Sequence, residues 1–247
     1  MTETTEPDNF DNPWTEVLQA YLPQALEFFF PKVYAVVDWT RPYEFLGKKE
    51  FDEQMVRDPR DCRGFIDNLV KFWSTTGEEV CLLIHVEIEF QRGKYLPKRI
   101  LDYNIRAFNR FDLPTINLVI LCDDARKWRP RRYRHDFLGT RLELEFGSVK
   151  ISHYQKLLAE LEASDNFFAL LVLAYLKTLE TSEKLEERKV WKLSLISRLY
   201  DLGLQEQDFR ILYRFIDWVM VLPNALDDEF LQEFRQFERE RSLASSI

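Results

Sequence analysis

Between residues 65 and 90 the chain carries two apolar, strand-favouring runs joined by six small or charged residues, and few arrangements satisfy that pattern. The runs 65–73 (FIDNLVKFW) and 80–90 (VCLLIHVEIEF) are rich in β-branched and aromatic side chains, which fit a pleated, half-buried surface. The segment between them, 74–79 (STTGEE), is turn chemistry with one Gly. The spacing predicts an antiparallel hairpin. In its second strand Ile84, Val86, Ile88 and Phe90 point one way, and His85, Glu87, Glu89 and Gln91 the other. The first strand brings Asp67, which the hairpin can set beside Glu87 on one face.

Upstream, residues 1–10 read as a disordered leader and 14–30 as a helix, with Trp14, Val17, Leu18, Tyr21, Leu22 and Ala25 at helical spacing and Pro31 ending it. The run 33–39 (VYAVVDW) reads as a strand, followed by a charged helix or loop to about residue 60. Downstream, 97–111 returns to helical period, with Leu101, Ile105 and Phe108 as its apolar face and Arg99, Tyr103, Arg106 and Arg110 on another. The almost wholly apolar run 115–122 (TINLVILC) fits a central strand covered on both faces. The Arg-rich segment 126–135 reads as a loop and 141–151 as a last strand. From about Tyr154 onward helical period dominates, over 167–179, 186–200, 207–221 and 228–241. The order helix, strand, hairpin, helix, strand predicts an α/β sandwich on a mixed sheet. It gives a core over 11–155 and an all-helical C-terminal extension over 156–247.

With 247 residues and 46% apolar content the chain can bury a substantial core. No apolar run reaches the roughly 18 residues of a membrane span, and the polar, acidic start is no signal peptide. A soluble, cytoplasmic protein without a membrane partner is the expectation. Cys62, Cys81 and Cys122 fit no zinc spacing and read as buried thiols. Three histidines argue against a multi-His metal site. A net charge of −8 weighs against nucleic acid. The run RKWRPRRYR at 126–134 is nevertheless locally basic, and screening confines each exposed charge to about 8 Å.

Two carboxylates held about 4 Å apart repel by about 4 kcal/mol at an effective dielectric near 20. Water relieves that cost on an open face. In a cleft, a hard divalent cation does so, Mg²⁺ being typical. From the pattern alone an alternating strand most often has one solvated face, a basic run is most often a solvated loop, and the two readings stay open.

The segment 67–91 (DNLVKFWSTTGEEVCLLIHVEIEFQ) resembles the core of PD-(D/E)xK nucleases. That superfamily sets an Asp on one hairpin strand and Glu-x-Lys or Glu-x-Gln on the next. DNPWTEVL at 11–18, VDWTRPYEFL at 37–46, LDYNIRAFNRF at 101–111, LCDDARKWRP at 121–130 and YRFIDWVMVLP at 213–223 are similar to bacterial recombination-promoting nucleases, a putative-transposase group. The resemblance extends along nearly the whole chain. It implies a restriction-endonuclease-like mixed sheet flanked by helices. It implies Asp67 and Glu87 as ligands of Mg²⁺, with Mn²⁺ as a substitute, and a water-handling role at position 89. Glu89 stands there in place of Lys or Gln, a departure that removes the positive charge a Lys would supply. It can act as an extra ligand or general base, and Gln91 can contact the water instead. Asp11 and Glu16 are lesser candidates from the first helix.

The expected function is a Mg²⁺-dependent DNA endonuclease associated with recombination or transposition. Arg129, Arg131, Arg132 and Arg134, then Arg99, Arg106 and Arg110, are the residues expected to hold DNA phosphates. A homodimer is among the assemblies considered. The competing expectations are a nuclease-fold DNA-binding protein with weakened or lost catalysis, and a protein-interaction module using the aromatic-rich C-terminal helices.

Overall fold

The computed structural model describes residues 13–46, 68–87, 95–123 and 127–244, with backbone alone at 68, 83, 85–87 and 242–244. The chain divides into two units. One is Leu18–Tyr154. The other joins the residues up to Val17 with Gln155–Ile247.

A five-stranded mixed sheet organises the first unit. Strands β1 (Glu44–Leu46), β2 (Asn68–Trp73) and β3 (Glu79–Glu87) form an antiparallel meander. Strand β4 (Thr115–Leu121) then runs parallel to β3, and β7 (Gly147–Lys150) parallel to β4, giving the order β1-β2-β3-β4-β7. The predicted hairpin is present, and its described ladder runs from Asn68 opposite Ile84 to Trp73 opposite Glu79. The turn closes through Gly77 N–H donating to Ser74 O, and Gly77 adopts φ +90°, which favours glycine.

The parallel crossover from β3 to β4 is made by α4 (Leu96–Phe111). Pro97 suits its first turn, Arg110 its last, and Asp112 ends it in the left-handed region at φ 51°. The buried side chains of α4 are Leu96, Ile100, Leu101, Tyr103 and Ala107. Tyr103 and Ala107 pack with Leu69 and Cys81, while Leu96 and Ile100 pack with Val119 and Leu121. The sheet-facing stripe therefore differs from the expected one. Ile105 and Phe108 are exposed and Tyr103 is buried, because the stripe follows spacings of four, three and four from Leu96. Phe30, which follows α2 (Leu22–Phe29), reaches Gly147 on the opposite face, where a Cβ would lie 2.6 Å from Leu118 Cδ2.

Other expectations are corrected. The single helix over 14–30 is two, α1 (Pro13–Ala20) and α2, because Tyr21 leaves helical geometry just before Pro23. The strand expected over 33–39 is instead a helical turn, α3 (Pro31–Tyr34), followed by a single bridge from Val37 to Ser74. Pro31 sits at the first position of that turn, where its fixed φ favours helix over the β propensity of the valines. The last strand expected over 141–151 is broken. Its first half joins β6 (Thr140–Glu145), which pairs with β5 (Arg132–Phe137) in a separate two-stranded sheet, and its second half is β7.

The second unit is helical: α5 (Leu158–Ala163), α6 (Phe168–Glu180), α7 (Leu185–Asp201), α8 (Glu206–Val219) and α9 (Asn224–Ala244). The expected core began at residue 11, but Trp14 packs edge-on against Phe215 with ring centroids 4.8 Å apart, so the first turn of α1 belongs with these helices. Helix α6 is buried nearly all round. Lys189 and Lys192 of α7 reach acids of α9, with Lys189 Nζ 2.7 Å from Glu229 and Lys192 Nζ 3.5 Å from Asp227. Among the described residues, no helix is long and apolar enough to cross a membrane.

Candidate functional site

Asp67, Glu89 and Gln91 lie outside the described residues, as does Asp11. Glu87 is the last described position of β3, and its side chain is likewise outside. Its backbone nevertheless has a defined place. Position 87 pairs with Leu121, and Leu121 pairs with Lys150, so one row crosses the C-terminal ends of three parallel strands. In parallel sheets that edge is where ligands usually bind.

Two residues on this edge were missed by sequence reasoning. Lys150 Nζ lies 2.6 Å from Asp123 Oδ2, and both side chains are sealed from solvent. The ammonium also donates to the Trp128 carbonyl oxygen at 3.1 Å. The signal was visible as an acid directly after an apolar strand (VILCD) and a lysine inside an apolar run (VKI). A charge in either place needs a partner when buried. Among the described residues, no group of three or more His, Cys, Asp or Glu side chains is placed to share a metal ion.

The basic segment expected as a loop over 126–135 is only partly one, since Arg132 to His135 lie in β5. Its arginines are differently employed. Arg129 donates from Nε to the Ser148 carbonyl oxygen at 3.0 Å, and from its terminal nitrogen to the same atom. Arg132 lies 3.8 Å from Glu143, and Arg134 lies 3.1 Å from Asp136. Among the described residues, Arg131 has no acid in ion-pair range. Burial lowers the pKa of Arg129, and the neighbouring Arg131 charge lowers it further. On α4, Arg106 and Arg110 are exposed and Arg99 is half-buried. Glu16 is ion-paired with Arg214 at 2.9 Å.

Neither a protein-family model, nor a curated protein, nor a solved structure matches the chain.

Three of these arginines meet in one place. A cleft of about 950 Å³ opens where β7 stops short of the first residues of β4. Its walls include Thr115, Asn117, Arg129, Arg131, Arg132 and Phe146. Glu145 contributes the one acid among the lining residues, and Glu143 lies 3.8 Å from the lining residue Arg132. Asn117 is 3% exposed, and its Oδ1 has no hydrogen-bond partner among the described residues. Ser148, outside the lining and 6% exposed, has a hydroxyl with no partner among the described residues. Buried polar atoms of this kind are uncommon in folded proteins. Through Arg131 the cleft can attract an anion.

Proposed function

We propose that the protein is a metal-dependent endodeoxyribonuclease of restriction-endonuclease-like fold, related to recombination or DNA mobility. The observation that carries this reading is the order of the sheet. A helix, a three-strand meander, a crossover helix and a parallel strand follow one another, which is the frame the PD-(D/E)xK resemblance implies. In the described ladder the odd-numbered residues of β2 and β3 share a face, as Leu69 and Cys81 do beneath Tyr103. Asp67 and Glu87 have the same parity.

Two carboxylates suit a hard cation such as Mg²⁺, with Mn²⁺ as substitute. Asp123 does not add to that set, because Lys150 holds it. A cation bound to Asp67 and Glu87 supplies a water of lowered pKa and a stabilising charge for the phosphate. Glu89 and Gln91 are the residues assigned to position that water and accept its proton. Exposed Arg106 and Arg110, with Arg131 at the cleft, hold DNA phosphates. Arg132 and Arg134 contribute less while paired with Glu143 and Asp136.

A specific observation favours a second reading, DNA binding without cutting. Position 89 lacks the lysine of the motif, and Lys150, the lysine in the row of position 87, is buried and already paired. Plasmid nicking with Mg²⁺ or Mn²⁺ decides between them. Cleavage by the wild type that is lost in both Asp67→Ala and Glu87→Ala supports the nuclease. Salt-sensitive DNA binding without cleavage under either ion supports the second reading. Equal cleavage by all three proteins rejects the site.

A further inference from the structure

The geometry points to the outer half of the β5–β6 hairpin as an interface with a second copy of this chain, formed by stacking two identical apolar ribbon faces. This goes beyond the nuclease reading and does not depend on it.

The ribbon separates its side chains completely. Residues opposite one another in an antiparallel pair share a face, and successive residues alternate. The register sets Tyr133 opposite Leu144, His135 opposite Leu142 and Phe137 opposite Thr140. These six residues form one face, which carries no Asp, Glu, Lys or Arg. The other face sets Arg132, Arg134 and Asp136 against Glu145, Glu143 and Arg141. Its charges are answered within that face. Arg132 lies 3.8 Å and Arg141 3.0 Å from Glu143, and Arg134 lies 3.1 Å from Asp136. Such alternation belongs to a sheet packed on one side and solvated on the other.

The apolar side is packed at its base, where Leu144 meets the buried group of Leu96, Ile100, Val119, Leu121 and Phe146. Farther out it is open to solvent. Phe137 is 64% exposed and Leu142 41%, and His135 and Thr140 are exposed as well. A two-stranded ribbon without a covering layer is marginal in water, so this face gains from being covered.

A second copy fits the face better than a charged partner does. Nucleic acid or an acidic peptide finds no complementary charge there, whereas an identical face brings none that needs an answer. The face is also close to symmetric about His135 and Leu142. A two-fold axis lying between the stacked ribbons, perpendicular to their strands, sets each of these two residues against its own copy. Tyr133 then meets Phe137 of the second copy, and Leu144 meets Thr140. The aromatic pair is made twice. The two tips point in opposite directions, so each body stands at its own end of the stack. Together the two faces cover on the order of 1,000 Å², the lower bound of a specific interface. The expected dimer is therefore a reversible one that forms at micromolar concentration.

Sedimentation equilibrium of the full-length protein from about 1 to 500 µM tests this. The wild type should pass from monomer to dimer across that range. Phe137→Ser removes the ring that meets Tyr133, and Leu142→Lys sets a charge against its own copy. Each should raise the dimer dissociation constant about tenfold or more. Both positions are exposed within one copy, so the circular dichroism of the two variants, taken at dilution, should match the wild type. Arg141→Ala lies on the charged face and should dimerise as the wild type does. A protein that stays monomeric at every concentration overturns the proposal, and if Phe137→Ser then weakens duplex-DNA binding the face belongs to nucleic acid instead. A dimer that neither Phe137→Ser nor Leu142→Lys weakens, or that Arg141→Ala weakens as much, also overturns it, because the contact then lies elsewhere.

Discussion

Lys150 and Asp123 form an ion pair 2.6 Å long in which neither side chain reaches solvent, at the ends of two neighbouring parallel strands. Removing one partner leaves a buried charge unpaired, and such changes cost about 3–5 kcal/mol. Lys150→Met and Asp123→Leu are each expected to destabilise by that amount in urea denaturation. The double variant Lys150→Met/Asp123→Leu leaves no charge behind and should be more stable than either single variant. A double variant as unstable as the sum of the two would show that the pair is not the interaction being broken.

The hairpin of β5 and β6 turns through Leu138 and Gly139, with φ of 46° and 83°. Two consecutive left-handed residues make the turn that matches strand twist, and Asn-Gly is its preferred sequence. Leu138 adopts this conformation while 89% exposed, so no burial offsets its steric cost. Leu138→Asn is expected to stabilise the protein by about 0.5–1 kcal/mol, read as a higher denaturation midpoint. A lower midpoint would mean that the leucine has a packing role.

Much of the first unit was legible in the sequence because its elements obey one period each. The hairpin at 68–87, the helix at 96–111 and the central strand at 115–121 fall where alternation, helical spacing and an unbroken apolar run put them. What was not legible depended on partners distant in the chain. Val33 to Val37 has strand composition, yet Pro31 starts a helical turn there and only Val37 meets a neighbour. Residues 141–151 read as one strand, but position 146 is where the chain leaves the β5–β6 sheet for β4. The acids opposite Arg132 and Arg134 come from the pairing of β5 with β6 or lie two residues away. Counting positive charges along 126–135 therefore overstated what is available to DNA. Of the proposed catalytic set, only the backbone of position 87 is described, so the carboxylate pair rests on pattern and resemblance.

Cys81 gives the protein a predictable weakness in alkali. Burial pushes its thiol up to about 11, with Lys71 opposing that shift and Glu79 adding to it. The unfolded thiol titrates near 9, so above that pH the unfolded chain releases a proton that the folded chain still holds. Stability from this group is present below pH 9 and is lost as pH rises toward 11. The expected loss is roughly 1 kcal/mol between pH 8 and pH 10. Tyr213, pushed up to about 12 first by burial and then by Asp217, extends the loss at higher pH. Cys81→Ala should flatten the slope between pH 8 and 10 in denaturation curves taken at each pH. An unchanged slope in that variant would assign the loss to another group.

The pairing of the arginines makes a sharper prediction about DNA than their number does. Each phosphate neutralised by a cation releases counterions, so the salt dependence of binding counts the contacts made. Arg131 has no acid partner among the described residues, and Arg134 is held by Asp136 at 3.1 Å. Under the proposed function, Arg131→Ala should lower the slope of log affinity against log salt for duplex DNA by about 0.9. Replacing Arg134 alone would free Asp136 to repel DNA, and that repulsion would masquerade as a lost contact. The informative variant is Arg134→Ala/Asp136→Ala, which removes cation and acid together. It is expected to bind DNA with the wild-type slope, because a guanidinium already committed to a carboxylate contributes no phosphate contact. A slope lowered as far as that of Arg131→Ala would show that Arg134 leaves Asp136 for the nucleic acid, and that this ion pair is broken in the complex.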